Sequence, residues 1–251
     1  MSSSKPASND DFQFEGFPSF FSRSAGVQNV TNTSPSEIVL QAKPITDYWR
    51  TPPYAAESDA PADRESGAHY YVDVSESSDF TVGVWLRGYW GTLYDQGGLM
   101  VIAGDGEGKK YHWIKSGVEL DHGKEWIGGV VAAPYSDWSV SLAPKSTSLG
   151  PDPSQGRDEN AHWVYLRIVR SGPTVRVYHL FAEKKFKVPD ESPHLIMLRE
   201  VKGFNVDPQT GEQLHRSSTW RVGVMTCGPK NEVGETTEFA DFHISVKPGS
   251  K

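Results

Sequence analysis

Apolar and polar residues alternate in short runs along most of the chain. Eleven stretches rich in Val, Ile, Tyr, Phe and Trp, at 37–43, 67–74, 80–87, 98–103, 111–119, 126–133, 162–169, 175–181, 195–201, 220–227 and 238–246, lie between clusters of Gly, Pro, Asn and Asp. That is the pattern of β-strands joined by turns. No stretch sustains the three-to-four spacing of a long helix. So many strands in one core predict two stacked antiparallel sheets.

Alternation also sorts side chains onto faces, because neighbours two apart share a side of a strand. In 111–119, His112, Ile114, Ser116 and Val118 fall on an inward face, and Tyr111, Trp113, Lys115, Gly117 and Glu119 on the other. In 162–169, Val164, Leu166 and Ile168 oppose Trp163, Tyr165, Arg167 and Val169. In 220–227, Val222, Val224 and Thr226 oppose Arg221, Gly223, Met225 and Cys227. If the aromatic-and-charged faces belong to one sheet, they line a groove suited to a sugar, with rings against the sugar face and charged groups on its hydroxyls. The plain alternative is that Trp113 and Trp163 are core and the charges pair across strands.

Two long polar loops, 44–66 and 143–160, interrupt the strands, and loops of that length are usually functional or flexible. We expect residues 1–34 to be a mostly flexible extension whose Phe12, Phe14, Phe17, Phe20 and Phe21 pack onto the domain edge. Residues 35–248 are expected to form one domain.

Composition narrows the function. A net charge of −7 argues against nucleic acid as a partner, and no apolar run approaches the length of a membrane span. The polar N-terminus lacks a secretory pattern and Cys227 is the single cysteine, so a cytoplasmic protein is expected. The histidines show no ligand spacing; neither a metal nor a cofactor is expected. The aromatic content of 12%, with eight Trp, is high and calls for an explanation.

Four motifs occur in order: Asp47-Tyr48-Trp49-Arg50-Thr51-Pro52-Pro53, Leu93-Tyr94-Asp95-Gln96-Gly97-Gly98-Leu99-Met100, Trp113-Ile114-Lys115-Ser116-Gly117-Val118-Glu119 and Tyr135-Ser136-Asp137-Trp138-Ser139. Together they resemble the concanavalin A-like family of unknown function that includes the yeast regulator-of-enolase protein. The resemblance runs from about Glu37 to Val246. It implies an all-β, concanavalin A-like jelly-roll β-sandwich of two antiparallel sheets with one concave face. It also implies a link to carbohydrate metabolism, with a glycolytic enzyme as a partner to consider, but no established catalytic mechanism.

Three functions stay open. The first is a lectin-like protein holding a sugar-like or other small polar ligand, with Gln96, Trp113, Trp138, Asp137, Trp163 and Arg167 as the binding residues. The second is an isomerase, lyase or glycoside hydrolase using Lys115, Glu119 and Asp95 in the same groove. Lys115 and Glu119 are about 13 Å apart along their strand, too far to pair directly, so a carboxylate from elsewhere would have to approach one of them. The third is a protein-interaction module with no small ligand.

Overall fold

The computed structural model describes residues 12–53, 61–103, 111–207, 209–212 and 219–249. The described strands are β1 (Phe12–Glu15), β2 (Ser22–Arg23), β3 (Val27–Ser34), β4 (Glu37–Ala42), β5 (Tyr48–Arg50), β6 (Asp63–Glu65), β7 (Ala68–Ser75), β8 (Ser78–Gly88), β9 (Gln96–Ala103), β10 (His112–Asp121), β11 (Lys124–Ala132), β12 (Ser136–Leu142), β13 (Trp163–Ser171), β14 (Thr174–Ala182), β15 (Ile196–Val201), β16 (Thr219–Cys227) and β17 (Thr236–Pro248). A three-residue 3-10 turn, Pro153–Gln155, is the sole helical element among them.

Two antiparallel sheets stack as a concanavalin A-like sandwich. Sheet A has the order β15-β14-β13-β8-β17-β4-β3, with β1 also paired to β17; sheet B has the order β12-β11-β10-β9-β16-β7-β2. The β5–β6 pair stands apart as a small flap. Each expected strand is present. The inward faces read from alternation are also the packed ones: Ile114 and Val118 of β10 and Val222 and Val224 of β16 meet Val164, Leu166 and Ile168 of β13 in one core, with Leu99 and Val101 of β9 and Phe239 and Ile244 of β17. Burying such side chains contributes roughly 1.5–3 kcal/mol each.

Four features differ from the reading of the sequence. Residues 12–34 are part of the sandwich: β1 and β3 join sheet A, β2 joins sheet B, and Phe17 and Phe21 are core residues. The domain therefore reaches further toward the N-terminus than position 35; the flexibility expected of residues 1–11 lies outside the described residues. β12 was not expected as a strand, because its Ser and Asp side chains hide a regular alternation of Trp138, Val140 and Leu142. The loop after β12 is tied down. The Glu125 carboxylate accepts from the Thr147 amide at 2.7 Å, the Trp90 indole donates to Thr147 Oγ1 at 2.9 Å, and Leu149 is fully buried.

The fourth difference matters most for function. β10 and β16 lie in sheet B but β13 lies in sheet A. Their aromatic-and-charged faces point to opposite outsides of the sandwich and do not form one groove.

Candidate functional site: a glycine-floored hollow on sheet B

The outer face of sheet B can be built row by row from its register. At one end Cys227, Gln96, Glu119, Trp126 and Leu142 stand side by side across β16, β9, β10, β11 and β12. The next row is Met225, Gly98, Gly117, Gly128 and Val140, and the third is Gly223, Met100, Lys115, Val130 and Trp138. The fourth is Arg221, Ile102, Trp113, Ala132 and Ser136.

Glycine thus occupies three adjacent strands in one row. A Cβ at Gly98, Gly117 or Gly128 would run into the backbone of a neighbouring strand, at Ser116 O, Gly97 O and Ser139 O respectively. Glycine inside a strand marks such close approach. Here it also removes side chains from the centre of the face. The result is a shallow hollow of about 270 Å³, part of it open to solvent, walled by Gln96, Lys115, Glu119, Trp138, Val140 and Met225.

The third and fourth rows are roofed by the flap. The Tyr48 ring meets Trp113 edge-on at 6.0 Å, and its hydroxyl donates to Gly67 O at 3.0 Å. Arg50, 1% exposed, ties the flap to the sheet. Its Nη1 donates to Tyr111 O and Pro134 O, both at 3.0 Å, while Nε pairs with Asp63 at 3.0 Å and Nη2 with Glu65. Lys115 reaches the flap from below: Nζ donates to Tyr48 O at 2.8 Å and lies 3.9 Å from Asp47 Oδ1. The flap edge and the glycine row together set the hollow's limits.

Glu119 stands at the opposite end of the hollow from Lys115. Burial pushes its pKa up to about 7, opposed by the Lys115 charge and reinforced by Asp47 and Asp121. The carboxyl therefore changes charge near neutral pH. Gln96 is buried beside it and donates from Nε2 to Tyr94 O at 3.1 Å. Trp138, 39% exposed, offers an accessible ring. The Cys227 thiol is fully buried and its pKa is raised by that burial, which removes it as a nucleophile at neutral pH.

Of the residues singled out in the sequence, the structure brings Gln96, Lys115, Glu119 and Trp138 together. The others are elsewhere. Trp113 shares the face but is sealed under Tyr48. Asp95 is fully buried away from the hollow, its carboxylate accepting from the Gly91 and Thr92 amides at 3.1 and 2.7 Å and from Asn231 Nδ2 at 3.1 Å; it shapes a turn. Asp137 alternates to the other side of β12 and pairs with Arg199 of β15, joining the edges of the two sheets. Trp163 and Arg167 occupy the outer face of sheet A. There the Arg87 guanidinium lies 4.2 Å from the Trp163 ring, and Arg167 is spent on the carbonyls of residues 188–190.

Sequence reasoning missed the glycine row, Met225, Val140 and the part played by Asp47. Gly98, Gly117 and Gly128 were visible as glycines within strands, but only the register puts them in line. Among the described residues no three His, Cys, Asp or Glu side chains gather as a metal site. His112, read as a buried imidazole, packs by Phe204 at 6.1 Å.

Comparison with known proteins adds lineage. A curated protein of Emericella nidulans, "Uncharacterized protein AN7484", is 27% identical over 151 residues, covering 60% of this chain and 72% of that protein. "Regulation of enolase protein 1" of Saccharomyces cerevisiae is 33% identical over 106 residues, covering 42% of this chain and 47% of that one. A functionally unknown protein from Saccharomyces cerevisiae, known by its crystal structure, superposes with a TM-score of 0.63 at 22% identity, over 89% of this chain and 95% of that one. It shares the fold. The family model described as "Protein of unknown function (DUF1349)" matches residues 27–247, nearly the whole described sandwich, and the chain belongs to that family.

Proposed function

We propose that the hollow on sheet B binds a small, polar, sugar-like molecule and that this binding serves carbohydrate metabolism. One observation carries the reading: three glycines in register clear a space that an exposed Trp, a buried amide, an ammonium and a carboxyl all border. Pockets that hold small molecules pair apolar surface with a few placed polar groups in this way. Kinship with a protein named for the regulation of enolase supports the metabolic setting, and makes an enzyme of glycolysis the protein partner to try.

The test is a sugar and sugar-phosphate panel followed by NMR of the backbone amides. The reading expects a ligand whose shifts centre on Gly98, Gly117 and Gly128. Trp138→Ala, at an exposed site, should weaken binding about tenfold, the scale of one lost stacking contact. Shifts that avoid the glycine row, or affinity that survives Trp138→Ala, would reject it.

Glu119 favours a second reading, in which the hollow performs acid–base chemistry. A carboxyl that titrates near neutral pH suits a general acid. Turnover of a bound ligand that falls as pH rises through about 7, and vanishes in Glu119→Gln, would select catalysis over binding.

A further inference from the structure

A sheet ends where a strand finds no further partner, and its outward N–H and C=O groups are then a template for another chain. Of the described strands that end the two sheets, all but one are blunted. β1 and β2 are four and two residues long. β3 presents Asn29, Thr31, Asn32 and Thr33 and shifts register twice against β4. β15 carries Arg199 and Glu200, and its pairing with β14 also shifts. β12 has none of these devices. Its seven residues run along β11 without a shift from Ser136 to Leu142, with no Pro, no Lys and Asp137 as their one charge.

What that edge presents can be read from its hydrogen bonds. The Ala143 amide donates to Glu125 O at 2.9 Å, so residue 143 faces β11. Alternation then aims the amides and carbonyls of Ser141, Ser139 and Asp137 at β11, and those of Trp138, Val140 and Leu142 at the open side. The side chains of these last three stand on the outer face of sheet B, Trp138 39% and Leu142 57% exposed. β15 adds Ile196 and Met197, 59% and 54% exposed, on the flank where its Arg199 meets Asp137. Single exposed apolar residues are ordinary; a run of them beside an unpaired backbone is not.

The sequence of the edge matches itself. Laid antiparallel on a second copy about Val140, the strand sets Val140 opposite Val140 and Trp138 opposite Leu142, each a pair that exchanges two backbone bonds. The three side-chain pairs on the outer face are then all apolar, and aromatic rings against aliphatic chains stabilise such pairings. Asp137 falls opposite Ala143 of the second copy, with Lys145 of that copy at the diagonal position. Opposite charges are brought together, and no like ones. A two-fold axis makes every contact twice. We propose that two copies of this chain pair through β12, so that sheet B runs on across both. The joint is made by backbone edges and leaves the outer face, with its hollow, open on each copy.

Sedimentation of the full chain over a range of concentrations tests the pairing, with the mass of 27.8 kDa expected to double. Leu142→Pro removes an outward N–H, at a place where an edge strand accepts Pro, and Leu142 does not line the hollow. The variant should keep the wild-type circular dichroism and self-associate about tenfold more weakly, because each copy loses a backbone bond. Val140→Cys reads the register. Hydrogen-bonded pairs hold their Cα atoms about 5.5 Å apart, within disulfide reach, so an added oxidant should link the two copies. Cys227 is buried and stays out of the reaction. Thr33→Cys, exposed on β3, should give no linked dimer. The proposal is overturned by a monomer at every concentration, which would leave the edge to a strand of another protein. It is equally overturned by undiminished association in Leu142→Pro, or by Val140→Cys linking no better than Thr33→Cys. The sugar panel reads the hollow and the mass reads the edge, so either can fail alone.

Discussion

A single carboxyl shows how the hollow couples to stability. Glu119 holds its proton to about pH 7, whereas an unfolded Glu releases it near 4.5. Below 4.5 both states are protonated and the residue has no effect. As pH rises from 4.5 to 7 the folded state binds more protons than the unfolded one, so stability falls with rising pH. Above 7 the full penalty is present, at most about 3 kcal/mol for a shift of this size. Glu119→Gln removes it. Urea unfolding should find the variant equal to wild type at pH 4 and more stable at pH 8, and an unchanged difference across that range would contradict the account.

Among the elements, the β5–β6 flap is the piece that turns an open sheet face into a bounded hollow. It is a pair of three-residue strands anchored by the Tyr48 ring on Trp113, by Arg50 and by Lys115. Removing one member of a buried ion pair strands the other charges, and Arg50→Ala should cost about 3 kcal/mol, at the lower end for such pairs because Asp63 is half exposed. Freed of its roof, Trp113 should become open to acrylamide quenching while the sandwich persists by circular dichroism. Quenching at the wild-type level would mean that the flap holds without Arg50. None of this was legible beforehand, although Asp47, Tyr48 and Arg50 stood in a motif. Local alternation named the faces of β10, β13 and β16 correctly because packing within a strand is a local property. Strand order is not local. That is why Trp163 and Arg167 were expected in a groove from which the whole thickness of the sandwich separates them, and why Gly98, Gly117 and Gly128, scattered in sequence, went unread as a floor.

For the whole molecule, the decisive segment is the one that composition described least well. The chain from Phe12 to Arg23 starts in sheet A and finishes in sheet B, so it bridges the two layers at one end. Its phenylalanines do the bridging. Phe17 packs on Tyr70 of sheet B at 6.4 Å and on Phe242 of sheet A at 5.5 Å, and Phe21 meets the same two rings at 4.8 and 5.3 Å. Such a plug shields the end of the core from water and couples the sheets to one another. Truncating a buried Phe loses its transfer energy and leaves a cavity, about 3–5 kcal/mol. Phe21→Ala and Phe17→Ala should each lower the free energy of unfolding by that amount, and the midpoint with it. Exposed Phe20, 49% accessible and at the rim of the same cluster, should tolerate Ala at a small fraction of the cost. Chemical denaturation followed by Trp fluorescence measures all three. If the plug joins the sheets as the ring contacts imply, each variant still unfolds in one transition at a lower midpoint; equal effects at positions 17, 20 and 21 would show the segment to be a mere surface covering.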